Sequence, residues 1–468
     1  MVFSSLVFLC IFLPIVFLGH TILPGIRAKN AMLLLASLVF YAYGEPVYVV
    51  LMVASALCNY LFALWIERFQ DQKKWIVSVA VILNLALLVI FKYAGFLTES
   101  VNTMFGTGFP VPDIRLPIGI SFFTFQAMSY VIDVYRGANK AQKNFGKVLL
   151  YISFFPQLIA GPIVKYHDVE QEIEHRTQSA DGVARGIRRF IAGLSKKVLI
   201  SNVMGMTADA LFGAAAGTLG AATAWVGALS YLFQIYFDFS GYSDMAIGLG
   251  WMFGFHFKEN FNYPYSSTSI REFWRRWHIS LSSWFLEYLY IPLGGNRKGK
   301  VRTCINKFIV FLCTGIWHGA NVTFLFWGIY HGCFLMLEEF VPFFRKEGGK
   351  IKTAVMRIYT LLVVCIGFVF FRADTMTQGM QWVKAMFTGF SMGTASTSLA
   401  LQQLTPLYLV TFTVACIASF PVFEKWKSDG RYQEFYNNMA FVCSIVGLVL
   451  CMLSLAGGTY NPFIYFRF

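Results

Sequence analysis

Residues 1–29 read MVFSSLVFLCIFLPIVFLGHTILPGIRAK, and this stretch predicts a first membrane-spanning helix. Its first charged side chain is Arg27, so the uncharged run before it is long enough to cross a hydrocarbon core, which needs about 20 helical residues. No basic segment precedes the run and no small-residue cleavage site follows it, so we do not expect a cleaved signal peptide. The stretch therefore places the chain in a membrane.

The composition extends this conclusion to the whole chain. Of its 468 residues, 57% are hydrophobic and only 13% are charged, about half the charged share of a soluble domain. This balance excludes a soluble multidomain enzyme, a disordered chain and a secreted disulfide scaffold, and it predicts an all-α polytopic integral membrane protein. We attribute the net charge of +14 to basic residues in the cytoplasmic loops, which orient the protein in the lipid bilayer. We do not expect it to bind nucleic acid. The nine cysteines include no CxxC pair, so we expect neither disulfides nor a metal site.

Further apolar runs recur along the chain, and several are too short to span a bilayer. Short runs broken by glycine and proline predict re-entrant, broken or interfacial helices. The runs lie near residues 31–43, 46–66, 75–97, 118–134, 146–160, 187–212, 221–252, 304–317, 322–343, 355–371, 404–423 and 437–457. Basic residues follow the first span and precede the last one, so both termini are predicted to lie outside the cytoplasm.

The sequence CTGIWHGANVTFLFWGIYHG, residues 313–332, contains the most conspicuous polar groups. A continuous helix would place His318 roughly 24 Å beyond Arg302, deep in the bilayer, where Gly319 to Asn321 interrupt the apolar run. Histidine is the side chain best suited to take a proton near neutral pH. His318 is therefore a candidate base, with Trp317, Asn321 and His331 as cavity-lining candidates. The alternative is a hydrogen-bonded structural histidine.

Two other segments carry polar groups in unusual places. In SIREFWRRWHISLSSW, residues 269–284, basic residues alternate with aromatic ones. This pattern is typical of an interfacial helix, whereas the alternative is a donor-binding or carrier-binding site formed by Arg271, Arg275 and Arg276. In QIYFDFSGYSDMAIGLG, residues 234–250, polar side chains interrupt an apolar run and either line a cavity or stabilise the helix bundle. They are Gln234, Asp238, Ser240, Ser243 and Asp244.

Several enzyme classes lack support in the sequence. We find no Walker A motif, no GxGxxG opening a helix, no HExxH and no GxSxG. An ATP-driven pump, a dinucleotide enzyme, a zinc protease and an α/β-hydrolase are therefore not expected.

Together, residues 237–250, 271–297 and 317–332 resemble the membrane-bound O-acyltransferase family. The resemblance favours its bacterial branch, which contains alginate O-acetyltransferases and the teichoic-acid D-alanyl transferase. The opening run fits the same branch, as do FFPQLIAGPIVKY, FVFFRA and the terminal PFIYFRF.

The resemblance implies one domain over residues 1–468, with a ring of transmembrane helices around a central funnel and tunnel. Within it we expect N-terminal helices over 1–160, a catalytic core over 161–345 and C-terminal helices with an aromatic tail over 346–468. The catalytic pair of the family falls on His318 and His278. The resemblance implies no tightly bound cofactor. It implies an acyl thioester donor, acetyl-CoA or an acyl carrier protein, on the cytoplasmic side of a bacterial cytoplasmic membrane.

The resemblance implies transfer of an acyl group to a hydroxyl of an extracytoplasmic cell-surface polysaccharide or of a relay partner. Acetyl is the acyl group that we expect. An SGNH-type acyltransferase is the expected extracytoplasmic partner, and Tyr465 is a possible acyl relay or else an aromatic anchor. One alternative is D-alanyl transfer from a carrier protein towards teichoic acid. Another alternative, from a different class, is a transporter or flippase for a lipid-linked glycan. Such a protein is expected to contain inverted repeats, and we find none in the sequence.

Overall fold

The computed structural model describes residues 1–345, 348–390, 394–422, 424, 432–458 and 460–464. Within this part of the chain the secondary structure is helical, without strands, which confirms the all-α class. The chain divides into two compact units, one formed by Met1–Phe190 with Asp244–Lys258 and the other by Ile191–Ser243 with Glu259–Phe468. The expected functional division at residues 160 and 345 stays a prediction.

The first unit contains the N-terminal helices. They are α1 (Leu13–Ile22), α2 (Gly25–Gly44), α3 (Tyr48–Arg68), α4 (Lys73–Leu88), α5 (Ala94–Phe105), α6 (Ile120–Arg136), α7 (Phe145–Ser153), α8 (Phe155–Leu158), α9 (Tyr166–Glu174) and the first part of α10 (Ala180–Ser195). The helix α12 (Ala221–Met252) contributes its residues 244–252 to this unit and its earlier residues to the other.

The second unit contains the remaining helices. After the end of α10 they are α11 (Asn202–Phe212), most of α12, α13 (Ile270–Arg276), α14 (Ile279–Phe285), α15 (Gly299–His318), α16 (Val322–Phe340), α17 (Pro342–Arg345), α18 (Lys350–Arg372), α19 (Met376–Thr388), α20 (Thr394–Gln403), α21 (Pro406–Ala418) and α22 (Gln433–Ala456).

Four helical stretches in the described residues are long and apolar enough to cross a membrane. They are Tyr48–Arg68, Gln70–Phe105, Lys350–Arg372 and Gln433–Ala456. A fifth span is possible if the pair Ala395–Gln403 and Pro406–Ala418, bent by 74°, counts as one. The bend has a local cause, because Pro406 lacks the N–H that a continuous helix needs, and Thr405 caps the new helix by accepting a bond from the Tyr408 N–H at 3.2 Å. A multi-pass membrane protein is supported, while the re-entrant helices stay a prediction.

The first unit packs through aromatic rings and paired amides. Its core is a cluster of phenylalanine rings with centroids 4.9–6.5 Å apart, formed by Phe3, Phe8, Phe12, Phe40 and Phe155. Between α3 and α4 the buried amides of Asn59 and Asn84 exchange two hydrogen bonds, of 3.2 and 2.8 Å. Reciprocal bonding of this kind satisfies polar groups that lipid cannot solvate.

In the second unit, glycines let α15 and α16 approach closely. A Cβ atom at Gly315 would lie 2.5 Å from the Phe324 carbonyl oxygen, and one at Gly328 would lie 2.5 Å from the Phe311 carbonyl oxygen. Any larger residue at either position would push the two backbones apart. The glycines thereby hold the last turn of α15 against the first turns of α16.

Candidate active site

The predicted helix break in WHGAN is confirmed. The helix α15 ends at His318 and α16 begins at Val322. Asn321 caps α16, since its side-chain oxygen accepts a bond from the Thr323 N–H at 3.0 Å. Its amide NH₂ donates to the Asp374 carbonyl at 2.9 Å. Asn321 is thus engaged in holding the start of α16, and His318 lies at a helix end.

Aromatic rings surround His318, whose side chain is buried with 8% exposed. The imidazole centroid lies 4.9 Å from Trp317, 5.2 Å from Trp327 and 5.0 Å from Phe371, with interplanar angles of 72–85°. This edge-to-face geometry is favourable for aromatic pairs. These three rings, together with Trp274, form what we call the aromatic cage.

His331 lies in the same cage. Its ring is fully buried and has centroids 5.0 Å from both Trp274 and Trp327. Neither of its ring nitrogens has a hydrogen-bond partner in the described part of the chain. Trp327 contacts both imidazoles, so His318 and His331 share one indole as a neighbour across the break between the two helices.

His278 connects α13 to α14 and has an unusual backbone. Its φ of 45° and ψ of 55° are left-handed, a conformation that a residue with a Cβ rarely adopts. Its Nδ1 lies 3.2 Å from Oδ1 of Asn260, whereas its Nε2 is buried and without a partner among the described residues. His278 lies outside the candidate membrane spans, and burial lowers the pKa of its imidazole to about 3. The ring is therefore neutral at physiological pH.

Trp317 links the two candidate catalytic histidines. Its ring centroid lies 4.9 Å from that of His318 and 6.2 Å from that of His278. The Phe239 ring also contacts His278, with centroids 4.5 Å apart and an interplanar angle of 89°. The structure therefore brings His278, Trp317, His318 and His331 into one cluster in the second unit, where imidazoles from different segments could act on one buried group.

The polar residues of α12 have other contacts. Asp238 forms an ion pair with Lys197 at 2.6 Å, with only 1% and 4% of the two side chains exposed. Asp244, in the first unit, pairs with Arg189 at 2.7 Å. Oε1 of Gln234 and Oγ of Ser240 are buried and have no partner in the described part of the chain. Both carboxylates are thus ion-paired, and their role as cavity-lining groups stays a prediction.

The three candidate arginines lie on α13, Arg271 near its start and Arg275 and Arg276 at its end. Arg271 forms an ion pair with Glu339, and its backbone N–H donates to Glu338 at 3.1 Å. Arg276 pairs with Glu272 at 2.9 Å. Arg275 is exposed and forms no ion pair with the described residues. Of the three guanidinium groups, Arg275 is the one that no carboxylate of the described residues already pairs with.

The C-terminal tail is anchored inside the second unit. Lys197 donates to the Pro462 carbonyl, and Asp238 accepts a bond from the Ile464 N–H at 2.8 Å. The Tyr460 hydroxyl donates to Asp209, which also pairs with Arg372 at 2.6 Å. The proposed relay Tyr465 lies outside the described residues.

Two residues that contact the predicted site residues were not predicted from the sequence. Asn260 contacts His278 across 18 positions of sequence, and Lys197 reaches Asp238 across 41. Neither belongs to a motif with a known spacing, although Lys197 could have been noticed as a charge within the apolar run 187–212. In the described residues no group of three or more His, Cys, Asp or Glu side chains is arranged to hold a metal ion.

Comparison with known proteins places these observations in context. The family model for the membrane-bound O-acyltransferase family (MBOAT) matches residues 121–376. The chain is 40% identical to the probable alginate O-acetylase AlgI of Pseudomonas putida over 100% of both chains. It is 37% identical to the peptidoglycan O-acetyltransferase of Helicobacter pylori, over 82% of this chain and 80% of that protein. Similarity to the teichoic acid D-alanyltransferase of Bacillus subtilis is lower, at 28% identity over 54% of this chain and 68% of the relative.

Proposed function

Because this chain belongs to the membrane-bound O-acyltransferase family and is an O-acyltransferase, we propose that it transfers an acetyl group from a thioester donor to a hydroxyl of a cell-surface polysaccharide. The names of its relatives support the acyl group and the acceptor class. Two of them are named for O-acetylation, of alginate and of peptidoglycan. The wider and stronger similarity to these two favours acetyl over D-alanyl.

The observation that carries the catalytic proposal is the cluster of His278, Trp317 and His318 in a buried, largely aromatic environment. In the proposed reaction His318 removes the proton of the acceptor hydroxyl as its oxygen attacks the thioester carbonyl. The new C–O bond forms, the C–S bond breaks, and the proton passes from His318 to the leaving thiolate. His278 orients a reacting group beside it.

The family also implies how the substrates arrive. We place the protein in a bacterial cytoplasmic membrane, with a donor tunnel open to the cytoplasm and a funnel open to the outside, where both termini lie. Acetyl-CoA or an acyl carrier protein would load the tunnel, and exposed Arg275 is the candidate for contact with an acidic donor. An SGNH-type acyltransferase on the outer side is the proposed partner that completes transfer to the polymer.

Tyr465 is proposed as an acyl relay between the active site and that partner. Lys197 and Asp238 anchor the tail up to Ile464, the residue before it. Mass spectrometry of protein trapped with labelled donor should detect acyl-Tyr465, and Tyr465→Phe should stop delivery to the partner. Full activity of that variant, with no acylated tyrosine in the wild type, would leave Tyr465 as an interfacial anchor.

Reconstitution with defined donors tests the acyl group. Purified protein in lipid nanodiscs would be incubated with labelled acetyl-CoA, an acetyl-loaded carrier protein or a D-alanyl-loaded carrier protein, with and without an alginate or peptidoglycan acceptor. We expect an acetyl donor to release its label and the D-alanyl carrier to stay intact. Turnover of the D-alanyl carrier alone would establish the teichoic-acid alternative. For the transporter alternative, the protein would be reconstituted in lipid vesicles instead of nanodiscs. Movement of a glycan across the vesicle bilayer without any thioester cleavage would establish that alternative.

A further inference from the structure

Asn260 is the hydrogen-bonding centre of the His278 region. Its side chain is completely buried. Oδ1 accepts bonds from the Ser280 N–H at 3.1 Å and the Ser280 hydroxyl at 2.9 Å, and it faces His278 Nδ1 at 3.2 Å. Nδ2 donates to the Ser243 hydroxyl at 2.9 Å. We call these four residues, Ser243, Asn260, His278 and Ser280, the polar corner.

The contact with the Ser280 backbone determines which way the amide points. A backbone N–H can only donate, so the Asn260 atom that it meets must be the carbonyl oxygen and not the NH₂ group. The Ser243 hydroxyl can accept from the NH₂ group on the other side. The orientation of the amide therefore follows from an unambiguous donor.

That orientation determines the proton position on His278. Oδ1 of Asn260 can only accept, and the Ser280 hydroxyl, 3.5 Å from Nδ1 of His278, donates to that oxygen at the shorter distance of 2.9 Å. The His278 nitrogen facing Oδ1, Nδ1, must therefore carry the hydrogen. In a neutral imidazole the other nitrogen, Nε2, then carries a lone pair. This Nε2 is buried and has no partner among the described residues.

The backbone contacts of Asn260 also aim the ring. The Asn260 carbonyl accepts a bond from the Ile279 N–H at 2.9 Å, and its side chain binds the N–H of the next residue, Ser280. These two bonds secure the backbone immediately after His278, where the left-handed φ of 45° turns the chain. One residue thus controls both the direction of the imidazole and its tautomer.

We infer that Asn260 is a positioning residue that holds His278 as the Nδ1–H tautomer, so that Nε2 presents a lone pair to the substrate. The consequence of this tautomer for the reaction rests on the proposed function. A lone pair accepts a hydrogen bond, so His278 orients the acceptor through a donor other than the proton that His318 removes. It does not donate to the carbonyl oxygen of the thioester.

The tautomer can be measured directly. Protein labelled with ¹⁵N-histidine in lipid nanodiscs would be studied by NMR, with His278→Gln identifying the His278 signals. We expect a protonated Nδ1 and an unprotonated Nε2 in the wild type. Asn260→Asp keeps an oxygen towards His278, and the Ser243 hydroxyl can turn to donate to its second oxygen, so the same tautomer should persist. Asn260→Leu removes the acceptor and should produce a mixture of tautomers.

Activity gives the second readout. Asn260→Leu should lower kcat by about 10- to 100-fold, the loss typical when the hydrogen-bond partner that orients a metal-bound histidine is removed, with the donor KM unchanged. Asn260→Asp should restore most of that loss. Ser283→Ala, which removes a hydroxyl from the same short helix without touching Asn260, is the matched control and should behave as the wild type.

Distinct results separate this inference from the proposed function. A wild-type spectrum with hydrogen on Nε2 overturns the inference, as does an Asn260→Leu variant that folds and keeps the wild-type kcat. If no donor is turned over by the wild type, the proposed function fails while the spectrum still decides the tautomer. If Asn260→Leu does not fold, the wild-type and Asn260→Asp spectra decide it.

Discussion

The polar corner and the aromatic cage hold histidines in two different ways. In the polar corner, hydrogen bonds between 2.9 and 3.2 Å link Asn260, Ser280 and Ser243 with His278. In the aromatic cage, His331 has ring contacts at 5.0 Å and no hydrogen bond in the described residues. His318 lies in the cage as well, at a helix end.

This difference shows which properties of a histidine, its position or its tautomer, each environment can determine. Hydrogen bonds are directional, so they specify which nitrogen carries the proton and where the lone pair points. Ring packing specifies position but leaves the tautomer open. We therefore expect His278 to be intolerant of changes in its partners, and His331 to behave as a packing residue. His318 combines an aromatic setting with a position at a helix end.

The largest expected effect comes from His318→Ala. Removal of the proposed base should lower acyl transfer by about 10²- to 10⁴-fold, measured as turnover of the donor that the wild type accepts. Thr314→Ala, one turn earlier on α15, removes a hydroxyl whose one bond within the described residues is to the Val310 carbonyl of the same helix, and it should leave turnover unchanged. Wild-type turnover by a folded His318→Ala would break the comparison, because the cage would then hold no catalytic group.

The next largest effect concerns a second directional contact, the Lys197–Asp238 ion pair. Lys197→Met leaves a buried carboxylate without its partner and should lower the free energy of unfolding by about 3–5 kcal/mol. The double variant Lys197→Met/Asp238→Leu removes both charges and should recover much of that loss, as measured by unfolding in detergent. Equal destabilisation of the single and double variants would contradict this account of the tail anchor.

The smallest expected effect is that of His331→Leu. No hydrogen bond is lost, and two buried ring nitrogens without partners in the described residues disappear, so turnover should change by less than about threefold, under about 1 kcal/mol in activation free energy. His278→Leu, assayed beside it, should fall much further because it breaks the polar corner. If the two leucine variants lose activity equally, His331 serves the reaction and the comparison fails.

Features of the site that depend on adjacent residues could be predicted from the sequence, whereas contacts between residues far apart in the chain could not. The break after His318 was predictable because Gly-Ala-Asn interrupts an apolar run, a signal contained in three adjacent residues. The ion pairs of Asp238 and Asp244 were predictable only as one of two alternatives, because an acidic group in an apolar run requires a partner without saying which one. Asn260 was not predictable, since its contacts with Ser243 and Ser280 depend on how α12 and α14 pack.

By itself, the sequence determined the membrane setting, the helical class, the family and the pair of histidines to consider, because these depend on composition, periodicity and local motifs. Only the tertiary structure decided that Trp317 neighbours both His278 and His318, that Trp327 contacts both His318 and His331, and that Asn260 faces Nδ1 of His278. The physical reason is that a tautomer or a ring contact is set by distances of a few ångströms between segments far apart in the chain. The pattern of a single sequence does not contain those distances.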